Sequence, residues 1–386
     1  MKSNYNQLGQ YIEMVSRTNS DLKYGIEDVR GCSNTKQMMQ TRANLIGRTY
    51  EKFIVLRPQE FVFNRRTTRN GEKIGMAYNN TDREYIFTND YVAFRVKQEY
   101  LDKLLPDYLY MFFCRDEFDR YARYKSTGSA TEFFNWEDMC AVPFEIPPMD
   151  FQQLVVNAYK VLNERIETKQ KINDNLATQA LTLFSDFVSH RSKKLEQRKL
   201  GDVIASANTG GDAIQKVPIV DYDTGIKCAR VGDITNAREY ASWAFCNASK
   251  SVYDNYKLQA GDILVTRTAT LGITQYIAKD ISAVYNNGLI RLKVDDTNAL
   301  PLYIYWAMKT SDFLNYINQM NSATSVRPNM KIDYLLNYQL SIPSIKEQTQ
   351  LTNAVEPLMK AISLNNDEIL KLSEFQAIIL TTLSSR

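Results

Sequence analysis

The chain has 386 residues, 44% hydrophobic and 24% charged, and a formal net charge of +3. That composition belongs to a folded protein with material for two or three domains and excludes a disordered chain. No run of about 18 apolar residues occurs, so a membrane-spanning helix is not expected, and the opening MKSNYNQLGQYIEM lacks the charged-then-apolar pattern of an export signal.

Taken in chain order, FIVL (53–56), EFVFN (60–64), REYIF (83–87) and YVAFRV (91–96) are short β-branched and aromatic runs, and they predict strands. Between Arg42 and Lys73 eight Lys/Arg face three Glu, a local excess of +5. DYLYMFFCRDEFDRYA (107–122) then has the aromatic spacing of one helix, and an Ile-Pro step at Ile146 opens a long helical tail. After the basic run HRSKKLEQRK the same order returns. GDILVT (261–266), TQYIA (274–278) and GLIRLKV (288–294) predict strands, LYIYWAMKTSDFLNYI (302–317) a helix, and Ile342-Pro343 a second tail.

The two halves align at an offset of 196, with Ser129/Ser325, Ile146/Ile342, Pro147/Pro343, Gln152/Gln348, Leu162/Leu358 and Ile166/Ile362 identical. Further upstream, Leu8-Gly9 parallels Leu200-Gly201, Arg65 parallels Arg267, and Pro106 parallels Pro301. Landmarks recurring in one order make the chain a tandem duplication. Each copy is a mixed α/β globular stretch followed by a tail of roughly 40 residues, about 60 Å of helix.

Four-three spacing along the tails predicts a coiled-coil seam. In the first tail it runs through Val155, Tyr159, Leu162, Ile166, Lys169, Asn173, Leu176, Ala180, Leu183 and Phe187. In the second it runs through Leu351, Val355, Leu358, Ile362, Asn365, Ile369, Leu372, Gln376, Ile379 and Leu383. Lys169 aligns with Asn365, so both seams turn polar at one level, and Pro357 should kink the second helix. A helix this long exceeds what one 140-residue domain covers, which favours pairing of the two tails.

Catalytic signatures are missing. The one histidine, His190, sits in the basic linker, and neither a P-loop nor a G-x-S-x-G elbow occurs. Asp367-Glu368 with Lys371 falls on the polar face of a coiled-coil helix, where such charges are ordinary. Cys32, Cys114, Cys140, Cys228 and Cys246 form no C-x-x-C pair, which points away from disulfides and zinc and toward a reducing cytoplasm. No catalytic residue, metal ligand or cofactor is therefore expected in this chain.

Cationic loops are what the chain does offer. In NRRTTRNGEKIG, residues Asn64, Arg65, Arg66, Arg69 and Lys73 lie in a glycine-containing turn between strands, where arginine can reach phosphates and guanine edges. The second copy supplies Arg267, Thr268 and Thr270 at the matching place, with Arg230 and Arg238 upstream. Ser129 and Thr131, then Ser325, Arg327 and Lys331, precede the Ile-Pro steps. Any one of these is singly an ordinary surface residue; their recurrence in both copies points to DNA.

This layout resembles the specificity (S) subunit of type I restriction–modification systems, over essentially the whole chain. The resemblance is carried by R-P-Q-E-F-V-F-N-R-R with G-E-K-I-G (Arg57 to Gly75), L-Q-A-G-D-I-L-V-T-R (Leu258 to Arg267), and the two I-P-(x)4-Q steps. In the first step Phe151 stands where the second has Glu347, which weakens the expected capping of that helix. The resemblance implies an α+β chain of two tandem target-recognition domains, 1–147 and 195–343, with long helices at 148–194 and 344–386 forming an antiparallel coiled coil. It implies sequence-specific binding of double-stranded DNA at a bipartite target whose spacer the helices set. It also implies docking of two methyltransferase (M) subunits and of restriction/translocase (R) subunits, which would use S-adenosylmethionine, ATP and magnesium. A stand-alone methyltransferase or nuclease, a protein-only scaffold and a single-strand binder are the competing readings. Methyl-donor assays and salt-dependent DNA binding separate the first two, and tyrosines at core spacing disfavour the third.

Overall fold

The computed structural model describes residues 6–41, 45, 47–67, 73–128, 132–191, 196–211, 217–323 and 329–383. They form two compact units: residues 1–167 with 369–386, and residues 168–368.

In the first unit, strands Ile12–Val15, Tyr91–Val96, Phe61–Asn64 and Met76–Tyr78 lie side by side in that order, all antiparallel. Phe61 and Phe63 enter one apolar cluster with Phe94 and Phe113, while Val62 enters another with Leu56 and Ala93. Both faces of the strand are covered, which is why FVF reads as an unbroken apolar run. Strand Ile54–Leu56 pairs with Tyr85–Phe87, and Arg30–Cys32 with Met38–Gln40.

The second unit repeats the first sheet with Ile204–Thr209, Leu289–Val294, Ile263–Thr266 and Thr274–Tyr276 in the same order. Phe61 faces Phe94 and Tyr78 in the first sheet; Ile263 faces Leu292 and Tyr276 in the second. Its inner faces divide likewise, Ile263 and Val265 to one cluster and Leu264 to another. A second sheet pairs Lys227–Ala229 parallel to Ala283–Tyr285. Part of the expected basic linker is strand Glu196–Lys199, paired with Gln339–Ile342.

The single aromatic helix expected in each copy is two. Pro106–Phe113 ends before Asp116–Lys125, and Pro301–Ala307 before Ser311–Ala323. Arg115 breaks the first by taking an extended backbone, with ψ of 145°. Its guanidinium then donates to the carbonyls of Phe112 and Leu383, at 3.1 and 3.0 Å.

The long helices are Met149–Arg191 and Ile345–Thr382. Each starts on a buried glutamine. Gln152 accepts from the Leu105 amide at 2.9 Å and donates to the carbonyls of Lys103 and Pro147. Gln348 accepts from the Leu300 amide at 2.7 Å and donates to Pro343. This is the physical content of the I-P-(x)4-Q step, since Leu105 and Leu300 cap the helices that begin at Pro106 and Pro301. Ser344 and Glu347 form a capping box on the second helix; on the first, Phe151 packs against the core instead. Pro357 lies inside the second helix without ending it.

The helices pair antiparallel within each unit. In the first unit Gln376 donates to Asn163. In the second, Lys169 meets Asn365 at 2.9 Å and Glu368 at 2.8 Å, while Asn173 bonds both Asn365 and Asn366. Lys169 and Asn365 thus meet at the level where both seams were expected to turn polar, and Glu368 is a structural partner of lysine. Leu351, Val355 and Leu372 are buried, and Val155, Leu162, Ile166, Leu176, Leu358, Ile362, Ile369 and Ile379 half-buried. Leu183 departs from the expected seam, being 43% exposed, and Phe184 takes its place at 2%. Beyond Ala180 the helix turns its apolar side to the domain core, where Phe184 lies 5.2 Å from the Tyr303 ring. His190 is exposed on the helix's last turn, bonded through Nδ1 to the Asp186 carbonyl.

Candidate nucleic-acid interface

In the second unit, sheet geometry gathers residues that are distant in sequence. Thr266 faces Leu289, so the chain leaves one strand and enters its neighbour at a common end. The parallel strands Lys227–Ala229 and Ala283–Tyr285 also finish there, and the Asn286 amide donates to Ala229 at 3.0 Å. Arg267 and Gly288 are joined at 2.9 Å, Met330 donates to the Arg267 carbonyl at 2.8 Å, and Thr268 bridges to Asn329. A Cβ at Gly288 would fall 2.4 Å from Val231 and 2.9 Å from the Thr268 hydroxyl, so only glycine allows this closure. The turn beyond includes exposed Thr270 and Ala269, whose φ of +62° is a strained left-handed conformation.

Of the expected contacts, Arg230, Arg267, Thr268 and exposed Lys331 therefore share one tip. Arg238 joins them through Asp233, whose buried carboxylate holds Arg230 at 3.2 Å and Arg238 at 3.3 Å. Arg267 has a different task from the one its sequence position suggests. Its guanidinium donates to Met330 O at 3.2 Å, Asn287 O at 3.4 Å and Asn287 Oδ1 at 3.2 Å, tying three loops together.

The first unit builds the same corner. Arg65 accepts at its carbonyl from the Phe134 amide at 2.9 Å, and Arg66 bridges to Phe133 just as Thr268 bridges to Asn329. Asn64 accepts from the Arg66 amide through its side chain at 3.0 Å. Arg65 is exposed; Arg66 pairs with Asp90 at 3.6 Å and Lys73 with Asp116 at 3.5 Å, all four charges at least half exposed. Such pairs are worth about 0–1 kcal/mol, so phosphates can displace the carboxylates. Arg69, Ser129, Thr131, Ser325 and Arg327 lie outside the described residues.

Sequence reading missed Asp233, Asn287 and Gly288. Only Asp233 had a signal, the three-residue spacing from Arg230 across a helix start. Among the described residues no group of His, Cys, Asp and Glu is placed to hold a metal, and no helix is long and apolar enough to cross a membrane. All five cysteines are free.

Residues 192–374 match the family described as type I restriction modification DNA specificity domain. No curated protein matches the chain. Among solved structures, the type I restriction–modification S subunit from M. genitalium aligns over 98% of this chain and 96% of its own, at 14% identity and a TM-score of 0.52. The HsdS subunit from Thermoanaerobacter tengcongensis aligns over 98% and 95%, at 16% identity and a TM-score of 0.35. The likeness of fold rests on the first of these. Residues 192–374 are thus similar to the type I restriction modification DNA specificity domain, in a chain with the fold of the type I restriction–modification S subunit from M. genitalium.

Proposed function

We propose that the chain is the DNA target-recognition subunit of a type I restriction–modification complex, reading a bipartite double-stranded site with one half-site for each unit. The carrying observation is the repeated corner, where a cationic strand end bridges to the segment before the long helix: Arg66 to Phe133 and Thr268 to Asn329. Equivalent corners on equivalent sheets suit two readers of the same kind. In this reading Arg65, Arg66 and Lys73 meet phosphates, and Arg230, Arg238 and Lys331 serve the second half-site.

The chain carries no catalytic step itself. The paired helices set the spacer and dock two methyltransferase subunits, which with restriction/translocase subunits supply methylation and cleavage using S-adenosylmethionine, ATP and magnesium. Free cysteines suit a reducing cytoplasm.

Exchanging residues 1–147 for another recognition module, followed by methylome sequencing of cells carrying the complex, tests the two-reader reading. One half-site should change and the other stay. Loss of both together would overturn it.

A further inference from the structure

We infer that Asp233 is the positioning residue of a two-arginine guanine reader, formed by Arg230 and Arg238 at the tip of the second unit. This rests on the reading that the tip meets DNA, and adds which side chains there read bases rather than phosphates.

Asp233 sits in the first turn of helix Val231–Thr235 with its side chain 1% exposed. A carboxylate so far from water requires fixed partners. Its Oδ2 accepts from the Arg230 amide at 3.0 Å and from Arg230 Nε at 3.2 Å. Its Oδ1 accepts from an amino nitrogen of Arg238 at 3.3 Å, and the Arg238 amide donates to the Asp233 carbonyl at 2.8 Å. Two cations thus share one buried anion, leaving this three-residue cluster one positive charge in excess. The arginine side chains are 39% and 51% exposed, and no other protein group among the described residues bonds either guanidinium.

The geometry distinguishes these arginines from the cations of the first unit. Arg66 and Lys73 pair with carboxylates that are 59% and 71% exposed and can leave. That suits phosphate, which asks for charge more than orientation. Asp233 cannot leave, so Arg230 and Arg238 are oriented before DNA arrives and less rotamer entropy is lost on binding. With Nε of Arg230 engaged, its two amino nitrogens remain as the fork that matches guanine O6 and N7. The support is also rigid. Trp243 donates to the Arg238 carbonyl at 2.9 Å, and Gly288 closes against Val231.

Selection from a random duplex DNA pool with the full-length chain tests this, using wild type, R230K, R238K, R230A, R238A and D233N. Wild type should enrich a motif with guanine in the half-site that stays constant when residues 1–147 are exchanged. Lysine keeps the charge and loses the fork, so R230K and R238K should each lose about 10- to 100-fold discrimination at a guanine of that half-site, with the other half-site intact. The alanine variants should leave the slope of log affinity against log salt unchanged, whereas a fall of about one unit would assign the arginine to phosphate and overturn the inference. D233N should weaken discrimination at the positions both arginines read; if it fails to fold, the lysine variants decide. Wild type enriching no motif would overturn the DNA reading itself. A wild-type motif that persists in both lysine variants would overturn only the guanine reader.

Discussion

Replacing Lys36 by Met should destabilise the first unit by about 3–5 kcal/mol, the cost of leaving a buried charge without its partner. Lys36 and Asp119 form an ion pair with side chains 4% and 6% exposed. The ammonium also donates to the Ile74 carbonyl at 3.3 Å, and the Ile74 amide donates to Asp119 at 3.0 Å. The pair therefore fastens the chain where it leaves the basic segment. K36M strands the carboxylate with one N–H donor, and the loss is large against a total stability of about 5–15 kcal/mol. In K36M/D119L both charges are gone, and what remains is two backbone groups short of a partner, about 1–3 kcal/mol each. The double variant should thus fall short of the sum of the singles by about 2 kcal/mol or more. Urea unfolding followed by hydrogen exchange, reading strands Phe61–Asn64 and Ile263–Thr266 separately, measures this and shows whether the second unit is spared. A K36M cost below about 1 kcal/mol, or simple additivity, would refute the argument.

Three further outcomes are expected. R65A/R66A should lower the slope of log affinity against log salt by about two units, since each lost phosphate contact contributes about 0.9; filter binding at several salt concentrations checks it. Phe184→Ala should cost about 3–5 kcal/mol while Leu183→Ala, on the exposed side, stays within about 0.5, and urea midpoints that reversed this order would contradict the seam drawn here. Burial holds the Lys309 ammonium down to about 8 from 10.5, with the Thr274 carbonyl its acceptor at 2.8 Å. The unfolded chain then binds more protons between those values, so this group's contribution to stability grows as pH rises from 8 toward 10.5. K309M should remove that rise in melting curves at pH 7.5, 9 and 10 (values spanning roughly that window).

Much of this arrangement is legible in the sequence because its signals are local or repeated. Strands such as Phe61–Asn64 and Leu289–Val294 announce themselves by residue type, and the meeting of Lys169 with Asn365 follows from aligning one copy on the other. The misses arise where tertiary contacts decide. Leu183 and Phe184 are both apolar, and only packing against the second unit's core, the ring of Tyr303 included, selects the second. Arg115 looks like one more helical residue until the Leu383 carbonyl is placed beside it. At the tip, Arg267 and Arg230 look alike as letters. One bonds backbone carbonyls of its own loops and the other leans on a buried carboxylate, a difference set by residues 20 or more positions away in one case and three in the other.

The polar layer of the second unit limits how the helices can change length. Lys169, Asn173, Asn365, Asn366 and Glu368 satisfy one another only in the observed register. Sliding one helix by a heptad, about 10 Å, would set Lys169 against Leu358 and Ala361 in place of Asn365 and Glu368, a lysine opposite apolar side chains. Polar groups in such seams specify alignment at some cost in stability. A deletion in one helix on the layer's side of its domain therefore cannot be absorbed by slippage. It must be matched by a deletion in the other helix, so length changes in this part of the chain should occur in pairs, one in each copy.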